Sequence, residues 1–316
     1  MTSPLKPTVG WVGAGRMGAA LATRLLDAGY DVAVYNRTRA KAEALTEKGA
    51  TVVDRPVELA GRDVVFVMVS ASQDLESVMN DEGGLLTDPD RAPGLVVDSS
   101  TVSAEMSALI RERAGLRHVD FLAAPVSGNP KVIASGKLTM AVSGPRAAFD
   151  RAEPMLRLFG RSVSYVGEGE VARLVKIAHN VFLGVVIQSL AEITVLAERG
   201  GVSRSVFLDF LNDSVMGSTF TRYKSPALVN LDFHPTFTNV LLSKDIELGL
   251  AAGKQLGVPM PIASATGMLV ASAIGAGYTD DDFATLVLEQ ARRSGYAISP
   301  ENTPVDDGLA PEAGRR

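Results

Sequence analysis

The chain has 316 residues, of which 46% are hydrophobic and 21% charged, with a formal net charge of −5; that is enough to bury a large core and long enough for two domains. Its charges are interspersed, and no lysine- or arginine-rich block is present to track a phosphate backbone or an anionic membrane, so nucleic acid is not an expected partner. Cysteine is absent and His118, His179 and His234 are scattered without metal-ligand spacing, which excludes disulfides and thiolate metal sites and argues against a metal cofactor.

The first residues lack an apolar core, and Arg16 interrupts the first hydrophobic run, so a secretory signal is not expected. The longest uninterrupted apolar run, 181–187, is too short to cross a bilayer, and the expected location is cytoplasmic, with no membrane partner.

From the N-terminus, short β-branched runs alternate with amphipathic helical runs, the pattern of a parallel sheet flanked by helices. The spacing predicts strands at 8–12, 31–35, 64–69, 95–98, 118–123, 138–143 and 162–166, with helices at 17–28, 40–47, 75–79, 103–114 and 147–159. After Gly167 the strands stop. Residues 171–198 read as one long helix stopped by Gly200-Gly201, and further helical runs follow at 202–212, 240–256, 262–276 and 282–294. Pro259 and Pro261 break the pattern between two of them. The expected organisation is an α/β cofactor-binding domain over 1–166 and a helical substrate and oligomerisation domain over 167–298. A tail rich in Pro, Gly, Asp and Glu, expected to be mobile, covers 299–316.

Val9-Gly10-Trp11-Val12 runs directly into Gly13-Ala14-Gly15-Arg16-Met17-Gly18 and then into a helical segment. A lone G-x-G-x-x-G is a weak signal; between a strand and a helix it is a specific one. Gly13 allows the tight turn, Gly15 the approach of a pyrophosphate to backbone N–H groups, and Gly18 close packing of helix on strand. An NAD-specific site places an acid at the end of the second strand, where this chain has Asn36-Arg37-Thr38. Arg37 can pair with a 2′-phosphate, and Asn36 and Thr38 can donate hydrogen bonds to it, so the expected cofactor is NADP, with NADPH preferred over NADH. The alternative is that Arg37 is a solvated residue opening a helix. Two later strand ends, Met68-Val69-Ser70 and Asp98-Ser99-Ser100-Thr101, are expected to border the nicotinamide half, with Val69 and Thr101 nearest, whereas Ser103 reads as a helix cap.

In the long helix Lys176 and Asn180 share a face with Arg173, and beyond Asn180 the helix is apolar almost all round, which predicts burial. Desolvation lowers a lysine pKa and fits it for general acid/base work, while Asn180 can offer a substrate both donor and acceptor. Periodicity alone leaves Lys176 equally open to a second reading, in which it snorkels to the surface or pairs with Glu168 or Glu170.

Four ordered motifs bring these features together: Gly13-Ala14-Gly15-Arg16-Met17-Gly18, Ala124-Pro125-Val126-Ser127-Gly128, Lys176-Ile177-Ala178-His179-Asn180 and Lys244-Asp245-Ile246-Glu247-Leu248. In them the chain resembles the β-hydroxyacid dehydrogenase family, 3-hydroxyisobutyrate dehydrogenase-like and related to 6-phosphogluconate dehydrogenase, over nearly its whole length. The resemblance implies an N-terminal Rossmann domain, a doubly wound sheet, joined by a long helix to an all-helical C-terminal domain, assembled as a homodimer or homotetramer. It implies Lys176 as general acid/base and Asn180 as the residue orienting substrate. It also implies that Ser127 and Gly128 bind a substrate carboxylate and that Lys244 lies near cofactor and substrate. The implied activity is NADP-dependent hydride transfer between nicotinamide and a β-hydroxyacid or its semialdehyde, the partner being a small carboxylic or carbonyl compound.

Departures from the family pattern are local. Asn129 stands where a second glycine is usual, adding a side chain at the expected carboxylate site, and Lys131 adds a charge nearby; Glu170 and Ala172 replace glycines ahead of Lys176. The chain is short for a 6-phosphogluconate dehydrogenase and shows no arginine cluster for that substrate's phosphate. An imine reductase shares the N-terminal motif but typically lacks the lysine, and a non-catalytic NADP-binding scaffold would be expected to replace it.

Overall fold

The computed structural model describes residues 6–309. These form two compact units that divide between Lys176 and Ile177, inside a helix.

The first unit runs β1 (Val9–Val12), α1 (Arg16–Asp27), β2 (Val32–Tyr35), α2 (Arg39–Glu43), β3 (Thr51–Val52), β4 (Val64–Val67), α3 (Ser72–Asn80), β5 (Leu95–Asp98) and α4 (Ala104–Leu116). It continues through β6 (Asp120–Ala123), β7 (Val126–Ser127), α5 (Pro130–Ala134), β8 (Thr139–Ser143), α6 (Arg146–Leu156) and β9 (Ser162–Gly167) into α7 (Val171–Arg199). The strands make one sheet in the order β3-β2-β1-β4-β5-β6-β8-β7, with β9 beside β8. From β3 to β6 every pairing is parallel, while β8 runs antiparallel to β6 and β7.

The register sets Val9 against Val32 on one edge and Val64 on the other, and with a core layer on each face of the sheet the four residues of β1 are all buried. Alternation sends Trp11 and Phe66 into one core layer with Leu21, Leu25 and Phe159. Val12, Val65 and Val67 enter the other with Leu75, Met79 and Phe121. Each such side chain contributes roughly 1.5–3 kcal/mol on burial. Trp11, the only tryptophan in the sequence, stacks on Phe66 at 5.3 Å between ring centroids, and its Nε1 donates to the Gly13 carbonyl at 3.0 Å.

The second unit holds the rest of α7, then α8 (Arg204–Asp213), α9 (Thr219–Asn230), α10 (Asn239–Leu256), α11 (Pro261–Gly275) and α12 (Leu286–Arg293). Ile187, Leu190, Ala191 and Val195, spaced for one face of α7, pack in one core with Leu242 and Ile246 of α10 and Val270 and Ala273 of α11.

Four elements were not expected: β3, β7, α5 and α9. Two expectations are corrected. Residues 299–309, expected to be mobile, are tied down: Arg204 Nη2 donates to the Ser299 carbonyl at 2.5 Å, Glu301 accepts N–H bonds from Arg204 and Ser205, and Thr303 pairs with Asn230. Leu309 is buried there as well; the remainder of that tail, 310–316, lies outside the described residues. Helix α7 is not buried all round either. Phe182 (68% exposed) and Leu196 (72%) line an open apolar side. By length and composition alone α7 could cross a membrane, a property hidden by reading only 181–187, and half of its most apolar window is buried within the protein.

Candidate functional site

The turn after β1 has the geometry of a phosphate cradle. Gly13 takes φ +100°, and a Cβ there would overlap the Met68 carbonyl oxygen; a Cβ on Gly18 would overlap the Gly13 carbonyl. Both positions therefore exclude side chains. Gly15, by contrast, would meet nothing within 4 Å, and as N-cap of α1 it supplies no side-chain bond to the first N–H groups of that helix, whose first turn carries no acid. An open helix N-terminus of this kind suits an anion, so the residues present fit a dinucleotide pyrophosphate. Arg16 and Met17 form the first turn of α1.

Asn36 directly follows β2. Its Oδ1 accepts the Ala14 N–H at 2.8 Å and its Nδ2 donates to the Thr38 carbonyl at 2.8 Å, so this side chain braces the glycine turn. Arg37 is the group that projects: its side chain is 84% exposed and Nη1 sits 2.9 Å from Asp74 Oδ1. Asp74, in the first turn of α3, was missed in the sequence because nothing in its local pattern sets it apart. Thr38 is the N-cap of α2, without a side-chain cap bond.

The ends of β4 and β5 are joined. Val69 N–H donates to Ser100 Oγ at 2.9 Å, linking Met68-Val69-Ser70 to Ser99-Ser100-Thr101, and Ser100 N–H donates to Asp98 Oδ1 at 3.0 Å. Ser103 caps α4 by accepting the Met106 N–H. Ser127 ends β7, and Gly128 takes φ +142° where a Cβ would press on Val132 and Leu138. Asn129 is buried and its Oδ1 accepts the Val132 N–H at 3.0 Å. It caps α5, so that oxygen is engaged in the backbone of its own loop.

Entry to α7 is fixed by three side chains. Ser143 Oγ accepts the Ala172 N–H at 3.1 Å and donates to the Gly169 carbonyl at 2.7 Å. Arg111 donates to Glu170 Oε1 at 2.7 Å and to the Gly169 carbonyl at 2.8 Å. Arg173 is fully buried against β5. Lys176, one turn further on, is half-buried.

In the second unit Asn180 is buried with both ends of its amide engaged. Nδ2 donates to Asp245 Oδ2 at 2.5 Å, and Oδ1 lies 2.9 Å from His179 Nδ1. Helices α7 and α10 approach closely because Gly184 and Gly249 leave room: a Cβ on Gly249 would overlap Val181. The carboxylate of Asp245 is itself buried, with Lys244 Nζ 3.6 Å from Oδ1. This is a charged cluster of Lys244, Asp245, Asn180 and His179 in which the carboxylate fixes the orientation of the asparagine. Asp245 was visible in the sequence only as the second letter of a motif.

A parallel sheet with a glycine cradle at the carboxyl end of its first strand defines a dinucleotide-binding α/β protein. Residues 8–167 match the family model for the NAD binding domain of 6-phosphogluconate dehydrogenase. Residues 167–289 match that for the NAD-binding of NADP-dependent 3-hydroxyisobutyrate dehydrogenase. The chain is 32% identical to glyoxylate/succinic semialdehyde reductase 1 of Arabidopsis thaliana over 88% of its own length and 96% of that protein's. It superposes on the crystal structure of 3-hydroxyisobutyrate dehydrogenase from Salmonella typhimurium with a TM-score of 0.81 and 28% identity, covering 90% of this chain and 100% of that one. It is also 29% identical to the cytokine-like nuclear factor N-PAC of Homo sapiens over 90% of this chain but 51% of that protein. The chain belongs to the β-hydroxyacid dehydrogenase family, a class of nicotinamide-dependent oxidoreductases.

Proposed function

We propose that the protein is an NADP-dependent oxidoreductase acting on a β-hydroxyacid or its semialdehyde, with Lys176 as general acid/base. The observation that carries the reading is α7, which presents Lys176 one turn before an asparagine held in place by a buried carboxylate. Gly13, Gly15 and Gly18 with the N-terminus of α1 would hold the pyrophosphate, Arg37 the 2′-phosphate, and Val69 and Thr101 the nicotinamide half. The bound cofactor supplies the hydride in reduction and takes it up in oxidation.

The protein's own residues manage the proton and the substrate. In oxidation the neutral amine of Lys176 removes the proton of the substrate hydroxyl as the carbinol hydride leaves; in reduction its ammonium protonates the alkoxide. Asn180, held by Asp245, orients the hydroxyl, and the Ser127 hydroxyl with the Gly128 N–H binds the carboxylate. Asn129 is not assigned to the substrate. The relative named as a semialdehyde reductase and the neighbour named as a 3-hydroxyisobutyrate dehydrogenase support a small carboxylate substrate carrying a carbonyl or hydroxyl group. Exposed Phe182, Leu196, Val206 and Phe210 on the helical unit support a homodimer.

The test is a screen of semialdehydes and β-hydroxyacids followed by NADPH absorbance, with Lys176→Ala as control. The variant should lose kcat by about 10³-fold or more while binding NADPH normally. Comparable turnover in the variant rules out Lys176 and brings His179 forward as proton donor. The similarity to a protein named as a nuclear factor favours one second reading, cofactor binding without turnover. Tight NADPH binding with every substrate inert would select it.

A further inference from the structure

Arg173 is a buried charge that the proposed chemistry does not use. Its side chain is 1% exposed, and it bonds to three residues at once. Nη2 donates to Asp98 Oδ2 at 2.5 Å, Nη1 to the Ser100 carbonyl at 2.5 Å, and Nε to Ser107 Oγ at 3.1 Å. Through Ser100, whose Oγ accepts the Val69 N–H, the same guanidinium is connected to the end of β4. The first turn of α7 is thereby fastened to the carboxyl ends of two neighbouring strands and to α4, three residues ahead of Lys176.

Stability does not explain this arrangement. Taking a guanidinium and a carboxylate out of water costs several kcal/mol each, and apolar residues of similar volume often serve as well or better. What such a pair supplies that apolar packing does not is direction. Its bonds to the Asp98 carboxylate and the Ser100 carbonyl hold only at one rotation and one height of the helix. The turn that leads into α7 is fixed independently, by Ser143 and by the Arg111–Glu170 pair, although Glu170 and Ala172 stand where glycines would leave it free.

We propose that Arg173 is a positioning residue that locks the height and rotation of Lys176 relative to the strand ends at Val69 and Ser100-Thr101. In doing so it couples proton transfer to the seating of the nicotinamide half of the cofactor. This rests on the function proposed above. The adenosine half, at the glycine turn and Arg37, lies outside the network.

The test uses the double variant Arg173→Met with Asp98→Asn, which removes both charges and leaves no orphaned buried ion; Arg173→Lys, which keeps the charge but not the fork of donors, is its companion. Dissociation constants are measured for NADPH and for 2′,5′-ADP, which carries the adenosine half without nicotinamide, alongside kcat and KM. Misplacing a catalytic group by about 1 Å costs on the order of 100-fold in rate, so kcat should fall by about that factor while substrate KM changes less than about threefold. NADPH should bind about tenfold more weakly, with 2′,5′-ADP held within about twofold, and Arg173→Lys should fall between wild type and the double variant.

A folded double variant with kcat and NADPH affinity within about threefold of wild type overturns the inference. So does a parallel weakening of NADPH and 2′,5′-ADP, which marks a purely structural role. A wild type without turnover would defeat the functional reading instead, and the contrast between the two ligands would still decide the role of Arg173 in seating the nicotinamide.

Discussion

Among the described residues each unit contains one arginine removed from solvent, Arg173 in the first and Arg204 in the second, and the two bond to different kinds of segment. Arg173 spends its donors on the ends of strands, where a parallel sheet exposes its ligand-binding edge. Arg204, at the start of α8, donates to both oxygens of Glu198 at 2.8 Å, to the Val229 carbonyl at 2.7 Å and to the Ser299 carbonyl at 2.5 Å. Those acceptors belong to the end of α7, the end of α9 and the segment that follows α12. One guanidinium ties the first turn of α7 to the end of β5 and to α4; the other closes a junction of helix ends. Burial of a charge is common to both, so the attached segments, rather than the burial, separate a functional role from a structural one.

That contrast can be broken by the loss of Arg204. Arg204→Met leaves Glu198 without its fork and the 299–309 segment without its anchor, and should lower the free energy of unfolding by about 3–5 kcal/mol. Urea titration measures it; NADPH affinity should not move. A variant that stays stable but loses NADPH would reverse the assignment.

A smaller effect comes from acid. Hydrogen bonding to Arg292, opposed by its own burial and aided by Arg293, holds the Glu289 carboxyl at about 2 rather than its ordinary 4.5. A depressed carboxylate pKa stabilises the fold above the unfolded value and loses that contribution as pH falls from 4.5 towards about 2. Burial likewise raises Asp282, yet the Lys224 ammonium beside it brings the carboxyl below the usual range, which adds to the same trend. Wild type should lose roughly 1–2 kcal/mol more than Glu289→Gln between pH 5.5 and pH 3.5 in urea titrations. Identical slopes for the two proteins would show that these staples in the helical unit do not govern its acid response.

The smallest effect on stability should come from an exposed pair. Arg37 and Asp74 form a surface ion pair, worth about 0–1 kcal/mol to the fold. Arg37→Ala should weaken NADPH about tenfold and NADH less than twofold, and Asp74→Asn, by releasing Arg37, should tighten NADPH about twofold. Fluorescence titration distinguishes these outcomes. Equal weakening of both cofactors by Arg37→Ala would remove the 2′-phosphate assignment.

The first unit was largely readable before its structure because its punctuation is local. The run from Val9 through Gly18 specifies strand, turn and helix within ten residues, and the strand ends follow from β-branched runs. The bracing contacts of Asn36 and Asn129 were not legible because an asparagine amide looks the same in sequence whether or not it bonds its own backbone. In the helical unit α9 escaped notice because Thr, Ser and an internal Pro226 weaken its pattern, while a capping box at Ser218 and burial of Leu228 and Val229 hold it. The segment after Ser299 has the composition of a tail and is retained by partners distant in sequence, Arg204 and Asn230. Asp74, Asp98 and Asp245 likewise gain their meaning from contacts that only the folded chain makes.

Trp11 gives the glycine turn an optical reporter. As the only indole in the chain, shielded from water and bonded through Nε1 to the carbonyl of Gly13, it confines tryptophan emission to the wall of the phosphate cradle. Quenching or energy transfer on addition of a reduced nicotinamide would therefore report on this one turn of the protein, without a label and without competition from the helical unit.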